Sequence, residues 1–322
     1  MKKRLEILRA LSVAFVCGST ATAGQAQPAG YPNRMIELIV PYSAGGGVSA
    51  MARAFAAEAS KESGQQWVVA TREGAGGVVG FASLARARPD GYSIVFSPAS
   101  PMTNAPFLNS HIPFKNSEIQ PVCQIFENVF AVATRKESEI RTFPELIQKA
   151  KATPGALSYG HSGPGTVGHL SMATVERTLN VSFNAIAYRG DAPLLTDAMG
   201  GTLDFAAPAI SSLAGKDLRV LAVLSSRRHP SLPNTPAISE FGVNGITPGL
   251  NGLFVPAGTP RPIVDRLEKI CQKVTASSIF GESAKGLMQV PQFLDSSRFK
   301  DRIDNAYKVN ETLVPGLKLE KI

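Results

Sequence analysis

A chain of 322 residues with 44% hydrophobic and 18% charged side chains has the composition of a globular protein that can bury a core without disulfides or metals. Its length favours two domains. The formal charge of +8 comes from scattered basic residues, a distribution that argues against a nucleic-acid surface and favours encounter with anionic solutes.

The start of the chain is a separate unit. MKKRLEILRA is basic, LSVAFVC is short and apolar, and Ala21-Thr22-Ala23 is a small-residue cleavage site. Residues 1–26 therefore read as a secretory signal peptide, cleaved near Ala23 or Ala26, with an apolar run too short to span a bilayer. Lys2, Lys3, Arg4 and Arg9 against Glu6 leave with it, so the mature chain carries about +5. Cys123 and Cys271 remain. Export permits a disulfide, but Cys271 falls on the apolar face Val264, Leu267, Cys271, Val274 of a helix-like stretch, and the expectation is two buried free thiols.

The mature chain opens with a strand over 36–40, ended by Pro41. Val48, Met51, Ala52, Phe55 and Ala59 then recur at helical spacing. A strand at WVVAT, a GAGG turn, a helix over VVGFASLARA, turn chemistry at Pro89-Asp90-Gly91 and a strand at YSIVFS follow. Extended segments occupy 119–134. Alternation then resumes: helices at 143–152, 166–179 and about 193–199, with strands at 157–160, 183–187 and 219–224. A Pro- and Gly-rich passage over 230–248 leads to a strand at GLNGLFVP and an amphipathic helix from Pro262 to about Ala276. This order predicts α/β architecture with mainly parallel sheets. It divides into two lobes, 27–124 with 250–322 and 125–249, closing around a ligand.

The turn PYSAGGGVSAMARAF between the first strand and helix carries candidate chemistry. A Walker loop needs G-K-[ST], and a dinucleotide fingerprint needs a third glycine where Ala50 stands, so neither fits. What fits is a helix N-terminus behind glycines, which suits any small anion, carboxylates included. LSYGHSGPGTVGHLSM repeats the arrangement in the second lobe, through Ser162, Gly163, Pro164, Gly165 and Thr166. Gly160-His161-Ser162-Gly163-Pro164 nearly matches a serine-hydrolase elbow, but its fifth position is Pro164 and His169 is badly placed for a base. The four histidines form no ligand-spaced metal cluster. Arg72 and Arg189 stand at strand ends, where each is expected to make a solvated or structural ion pair rather than hold a ligand.

With these turns in place, the chain resembles the substrate-binding receptors of tripartite tricarboxylate transporters, the Bug receptor family. The resemblance runs through YPNRMIELIVPYSAGGG, REGAGG, RPDGY, PGALSYGHSGPGTVGHL, AYRGDAPLLTDAMGGTLDF, SSRRHPSLPNTPAISEFG and LFVPAGTPRPIVDRL, covering the mature chain in order. It implies a type II-like periplasmic binding protein, two-lobed and monomeric, that binds no cofactor, metal or nucleic acid and catalyses nothing. A small organic acid would lie between the lobes, for delivery to membrane permease subunits or to a signalling partner. The implied site comprises Tyr42, Ser43, Ala44, Gly45, Gly46, Gly47, Val48 and Ser49, with Gly76 and Ser97 on neighbouring segments. Ser162, Gly163, Gly165, Thr166, Arg189 and Asp191 would complete it.

Departures from the family pattern are local. Val48-Ser49 stands where a small residue and an Asp are usual, and YRGD replaces YKGG, adding Asp191. AAPAISSLAGKDLR is short, and the tail from Ala284 matches poorly, with Tyr307 where Trp is common.

Overall fold

β-Branched runs and amphipathic stretches from Tyr31 onward build two separate sheets. The computed structural model describes residues 30–317 and 319, so the signal-peptide reading falls outside the described residues. The strands in chain order are β1 (Ile36–Val40), β2 (Trp67–Thr71), β3 (Ser93–Pro98), β4 (Ile119–Asn128) and β5 (Phe130–Arg135), then β6 (Ser158–His161), β7 (Asn184–Ala187), β8 (Phe205–Ala206), β9 (Leu218–Leu224), β10 (Gly249–Pro256) and β11 (Pro291–Leu294). The helices are α1 (Gly47–Ser63), α2 (Val78–Ala85), α3 (Ser100–Thr103), α4 (Phe143–Ala152) and α5 (Val167–Leu179), then α6 (Asp191–Gly200), α7 (Ile210–Leu213), α8 (Arg261–Ala276), α9 (Ser278–Gly286) and α10 (Ser296–Leu313).

The first sheet runs β11-β4-β10-β3-β1-β2, the second β7-β6-β8-β5-β9. Both are mixed rather than mainly parallel. β1 lies parallel to β2 and β3, and β6 parallel to β7 and β8. The strands next to the inter-sheet crossings, β4, β5, β9 and β10, pair antiparallel. The direction follows from connectivity. A strand arriving from the other sheet reaches its neighbour without a helical crossover, so nothing enforces the parallel sense. Only Val129 separates β4 from β5, and the return path runs from Leu224 to Gly249.

Strand alternation decides which face meets which helix. Ile36, Leu38 and Val40 of β1 join Met51, Phe55 and Ala59 of α1 and Val264, Leu267 and Val274 of α8 in one core. Ile39 points the other way, to a second core with Phe81, Val95, Phe254 and Phe299. The second sheet has its own two cores, around Phe143, Tyr159 and Phe205 on one face and Leu194, Leu203 and Val223 on the other. α8, its apolar stripe read from the sequence, lies across β4, and this corrects the cysteine expectation. Cys123 and Cys271 are both fully buried, as the pattern indicated, but they form a disulfide with Cα atoms 6.7 Å apart. Residues 148 apart meet because the β4–α8 packing puts them face to face.

The tail holds three elements that sequence patterning did not anticipate: α9, the edge strand β11 and the 18-residue α10, whose Phe299 and Ile303 enter the core beside Phe254. Among the described residues no helix is long and apolar enough to cross a membrane.

Candidate functional site

Three helices of ten residues or more, one on the first sheet and two on the second, begin at a single pocket. The turn after β1 places Gly45 at φ +95°, a conformation that favours glycine, and Gly46 then caps α1 with no side-chain hydrogen bond. α5 starts after Thr166, whose hydroxyl donates to the Gly163 carbonyl (2.7 Å) instead of capping its own helix. α6 starts after Gly190, which has no side chain to cap with. Of the helices remote from the pocket, α4 has a full capping box from Thr142 and Glu145, α9 is capped by Ser277 and α10 by Asp295, while α8 starts after Pro260 with no side-chain cap. An uncapped N-terminus leaves N–H donors and roughly half a positive charge facing whatever lies in front of it.

The pocket in front of them is lined by Tyr42, Gly46, Gly47, Val48, Pro98, Ser100, Asn128, Phe130, Ser162, Thr166, Val167, Asp191 and Ala209. It spans about 390 Å³ including its mouth, and its interior is narrow. The two sides touch through polar contacts. Gly47 N–H donates to Ser212 Oγ (2.8 Å), Ser43 N–H to the Arg189 carbonyl (3.3 Å) and Asn104 Nδ2 to the Gly165 carbonyl (2.8 Å). Glycines permit this approach. A Cβ on Gly190 would stand 2.9 Å from the Ser43 nitrogen, and one on Gly163 2.8 Å from the Gly76 Cα.

Asp191 is the charged group of the pocket. It is the first residue of α6 and is buried. Its Oδ2 accepts from the Ala209 N–H (3.1 Å) and from Ser212 Oγ (2.7 Å), so a relay runs from Gly47 N–H through Ser212 to the carboxylate. Its Oδ1 has no partner. Burial pushes its pKa up to about 6, against the opposing hydrogen bonds from Ser212 and Ala209 and the influence of the nearby Ser162 hydroxyl, which makes no well-aligned bond to it. On the facing side Tyr42 donates to the Gly76 carbonyl (3.0 Å), with its hydroxyl pushed up to about 12 by burial. Asn128 accepts from Gln289 Nε2 (3.2 Å) through Oδ1, and its Nδ2 is a second buried group without a partner.

A stacked histidine pair supports the second-lobe turn. The rings of His161 and His169 lie 4.3 Å apart and nearly parallel. His161 Nδ1 lies 2.9 Å from the Gly163 carbonyl, and His169 Nδ1 accepts the Gly165 N–H (3.2 Å). Burial lowers their pKa values to about 4 and about 3, so both are neutral near pH 7. Ser162 lies beside Asp191, and neither histidine bonds to it. Among the described residues no group of three His, Cys, Asp or Glu side chains could hold a metal.

A family model described as the tripartite tricarboxylate transporter family receptor, TctC, matches residues 51–301. The chain belongs to this receptor family. That bears out the family resemblance read from the motifs along the mature chain. The receptor is 32% identical over 285 residues to a UPF0065 protein of the tcbD-tcbE intergenic region of Pseudomonas sp. strain P51, covering 85% of this chain and 83% of that one. The structure of the periplasmic binding protein BugD matches with a TM-score of 0.86 at 27% identity, over 91% of this chain and all of that one. R. palustris Rpa4515 with adipate shares the fold at 0.86 and 24% identity, with the same coverage. The expected two-lobed α/β binding-protein fold is therefore present.

Of the residues expected in the receptor's site, Tyr42, Gly46, Gly47, Val48, Ser162, Thr166 and Asp191 line the pocket. Ser43, Gly76, Gly163 and Gly165 sit just behind, in the contacts between the two sides. Ser49 accepts from Arg53 (2.8 Å), and Ser97 donates to the Pro98 carbonyl (2.8 Å). Ala44, Gly45 and Arg189 are exposed. Arg72 is engaged by Glu37 (2.6 Å) and Ser83. Pro98, Ser100, Asn128, Phe130 and Ala209 were not singled out from the sequence. Asn128 and Phe130 flank the one-residue crossing between the sheets, and no local motif marks that crossing.

Proposed function

We propose that this receptor is exported to the periplasm through the signal peptide at 1–26 and captures a small carboxylate by closing two lobes, 27–124 with 250–322 against 125–249. It would act as a monomer, without cofactor or catalytic step, and hand its ligand to the membrane permease of a tripartite tricarboxylate transporter. One observation carries the reading: two uncapped helix N-termini without an acidic first turn, α1 from the first sheet and α5 from the second, open into one pocket. Each charge-assisted hydrogen bond from such N–H groups contributes about 1.5–3 kcal/mol. The N–H groups of Val48 and Ser49 on one side and of Val167 and Gly168 on the other are the donors left over by helix geometry. A carboxylate bridging them is held by both lobes at once, which couples binding to closure. Two solved neighbours, R. palustris Rpa4515 with adipate and MatC of Rhodopseudomonas palustris with bound malate, hold carboxylates, which agrees with this class.

The test is a thermal-shift screen of the mature protein against mono-, di- and tricarboxylic, aromatic and amino acids, with neutral solutes of matched size. At 100 times its Kd, a ligand stabilises the protein by about 2.7 kcal/mol. Stabilisation by neutral solutes with no response to any acid overturns the carboxylate reading.

A further inference from the structure

We propose that His161 and His169 are positioning residues: as a stacked pair of opposite tautomers, they hold the second-lobe turn in the shape that receives a ligand. This rests on the carboxylate reading and adds to it how the turn is set before the ligand arrives.

The turn has little of its own to hold it. Gly163 and Gly165 sit at φ +125° and +71°, and glycine has more backbone freedom to lose than any other residue. Thr166 gives α5 no side-chain cap. Each glycine instead engages one histidine through its backbone. His161 Nδ1 lies 2.9 Å from the Gly163 carbonyl. A carbonyl oxygen only accepts, so His161 carries its proton on Nδ1. The Gly165 N–H donates to His169 Nδ1 at 3.2 Å, so His169 keeps a lone pair there and carries its proton on Nε2. Neither assignment can be exchanged without losing a bond. The Gly163 carbonyl also accepts the Thr166 hydroxyl (2.7 Å) and the Thr166 N–H (3.3 Å), so three donors engage it. A carbonyl swung free in this turn would set its negative end against an anion. With it held, Ser162 and Thr166 line the pocket and the first N–H groups of α5 stay available. Neither histidine lines the pocket, and each acts through the backbone that it holds. A turn fixed beforehand costs less to order on binding, which raises affinity without a new contact.

The experiment has two readouts. The long-range proton–nitrogen NMR spectrum of the imidazoles, taken on ligand-free protein at pH 7, is expected to show His161 as the Nδ1–H form and His169 as the Nε2–H form. Calorimetry with propanoate, succinate, citrate, benzoate and L-alanine then compares two kinds of variant. Leucine fills the space and makes no hydrogen bond, whereas asparagine carries an amide near where Nδ1 stood. For an acid that wild type binds, His161→Leu and His169→Leu are each expected to bind about 5- to 20-fold more weakly, and His161→Asn and His169→Asn within about threefold of wild type. Thr142→Ala, which removes the cap of α4 remote from the pocket, lowers stability and should leave affinity unchanged. Leucine variants that bind within threefold of wild type overturn the inference while the carboxylate reading stands. Asparagine variants as weak as the leucine ones also overturn it, because ring packing then matters and the hydrogen bonds do not. Wild type that binds none of the five acids overturns both. Should the leucine variants fail to fold, as judged by circular dichroism, the wild-type spectrum decides: His161 without a proton on Nδ1, His169 with one, or either ring charged overturns the proposal.

Discussion

Replacing Gly47 with alanine separates closure from stability. Gly47 is the first residue of α1, and its backbone is ordinary for any residue, since its φ lies outside the left-handed region. The substitution therefore introduces no local strain, and an alanine in a helix is favoured over glycine by about 0.5–1 kcal/mol. The obstacle lies across the pocket. A Cβ at this position would stand 2.5 Å from the Ser211 Cβ and 2.7 Å from its carbonyl carbon, and part of that obstruction is backbone that cannot swing away. Restoring van der Waals contact requires α1 and α7 to part by about 1 Å. That breaks the Gly47–Ser212 hydrogen bond and weakens the Ser43–Arg189 one, at about 1 kcal/mol each. It also withdraws one lobe from the ligand, at the cost of at least one charge-assisted bond of about 1.5–3 kcal/mol. The total of about 4 kcal/mol corresponds to roughly a thousandfold in affinity. Calorimetry with the best acid of the screen should show a loss of at least about 100-fold. The ligand-free melting temperature should fall by no more than about 3 °C, since the two hydrogen bonds together are worth about 2 kcal/mol. Gly281→Ala, on a helix where an added Cβ meets nothing within 4 Å, is the control and should bind as wild type does. Binding by Gly47→Ala within threefold of wild type would refute closure at this contact.

Asp191 also predicts how stability responds to pH. Its folded-state pKa is raised to about 6, above its unfolded value, so the folded protein pays nothing at low pH and an increasing penalty as pH rises through roughly 4 to 6. At about 1.4 kcal/mol per pH unit the full penalty is about 3 kcal/mol above pH 6. Tyr42, the titratable group opposite, stays neutral across that window. Ligand-free Asp191→Asn should thus melt about 5 °C higher than wild type at pH 8, and the gap should close near pH 4. A gap that is equal at both values would contradict the account. For the disulfide, Cys123→Ser should lower stability by about 2–5 kcal/mol in denaturant unfolding and leave ligand affinity unchanged, because the bond sits in the core behind α8. A changed affinity with unchanged stability would reverse the roles assigned to core and pocket.

Much of this molecule could be read from its residues because the relevant physics is local. The strand over 36–40, the helix over 143–152 and the strand over 249–256 match β1, α4 and β10 residue for residue, since period-2 and period-3.6 patterns with Pro and capping signals are short-range. The glycine turns were legible for the same reason. The tail was not: α10 has a sparse apolar face, and it is a helix that buries Phe299 and Ile303 against strands from other parts of the chain. β8 and α7 are too short for any periodicity, yet α7 supplies Ser211 and Ser212 to the closing contact.

The sequence by itself determined the α/β alternation, the family and the two glycine-led helix starts, because spacing, turn chemistry and motif order are properties of neighbours along the chain. Tertiary structure decided the rest. It turned two buried cysteines into a bond by laying α8 on β4. It brought Asn128 and Phe130 into the pocket by crossing between sheets at Val129. It also left Asp191 buried with one oxygen unpartnered. The reason is the same each time: these depend on which distant surfaces meet, and the free energy of that meeting is shared by the whole fold rather than carried by any local stretch.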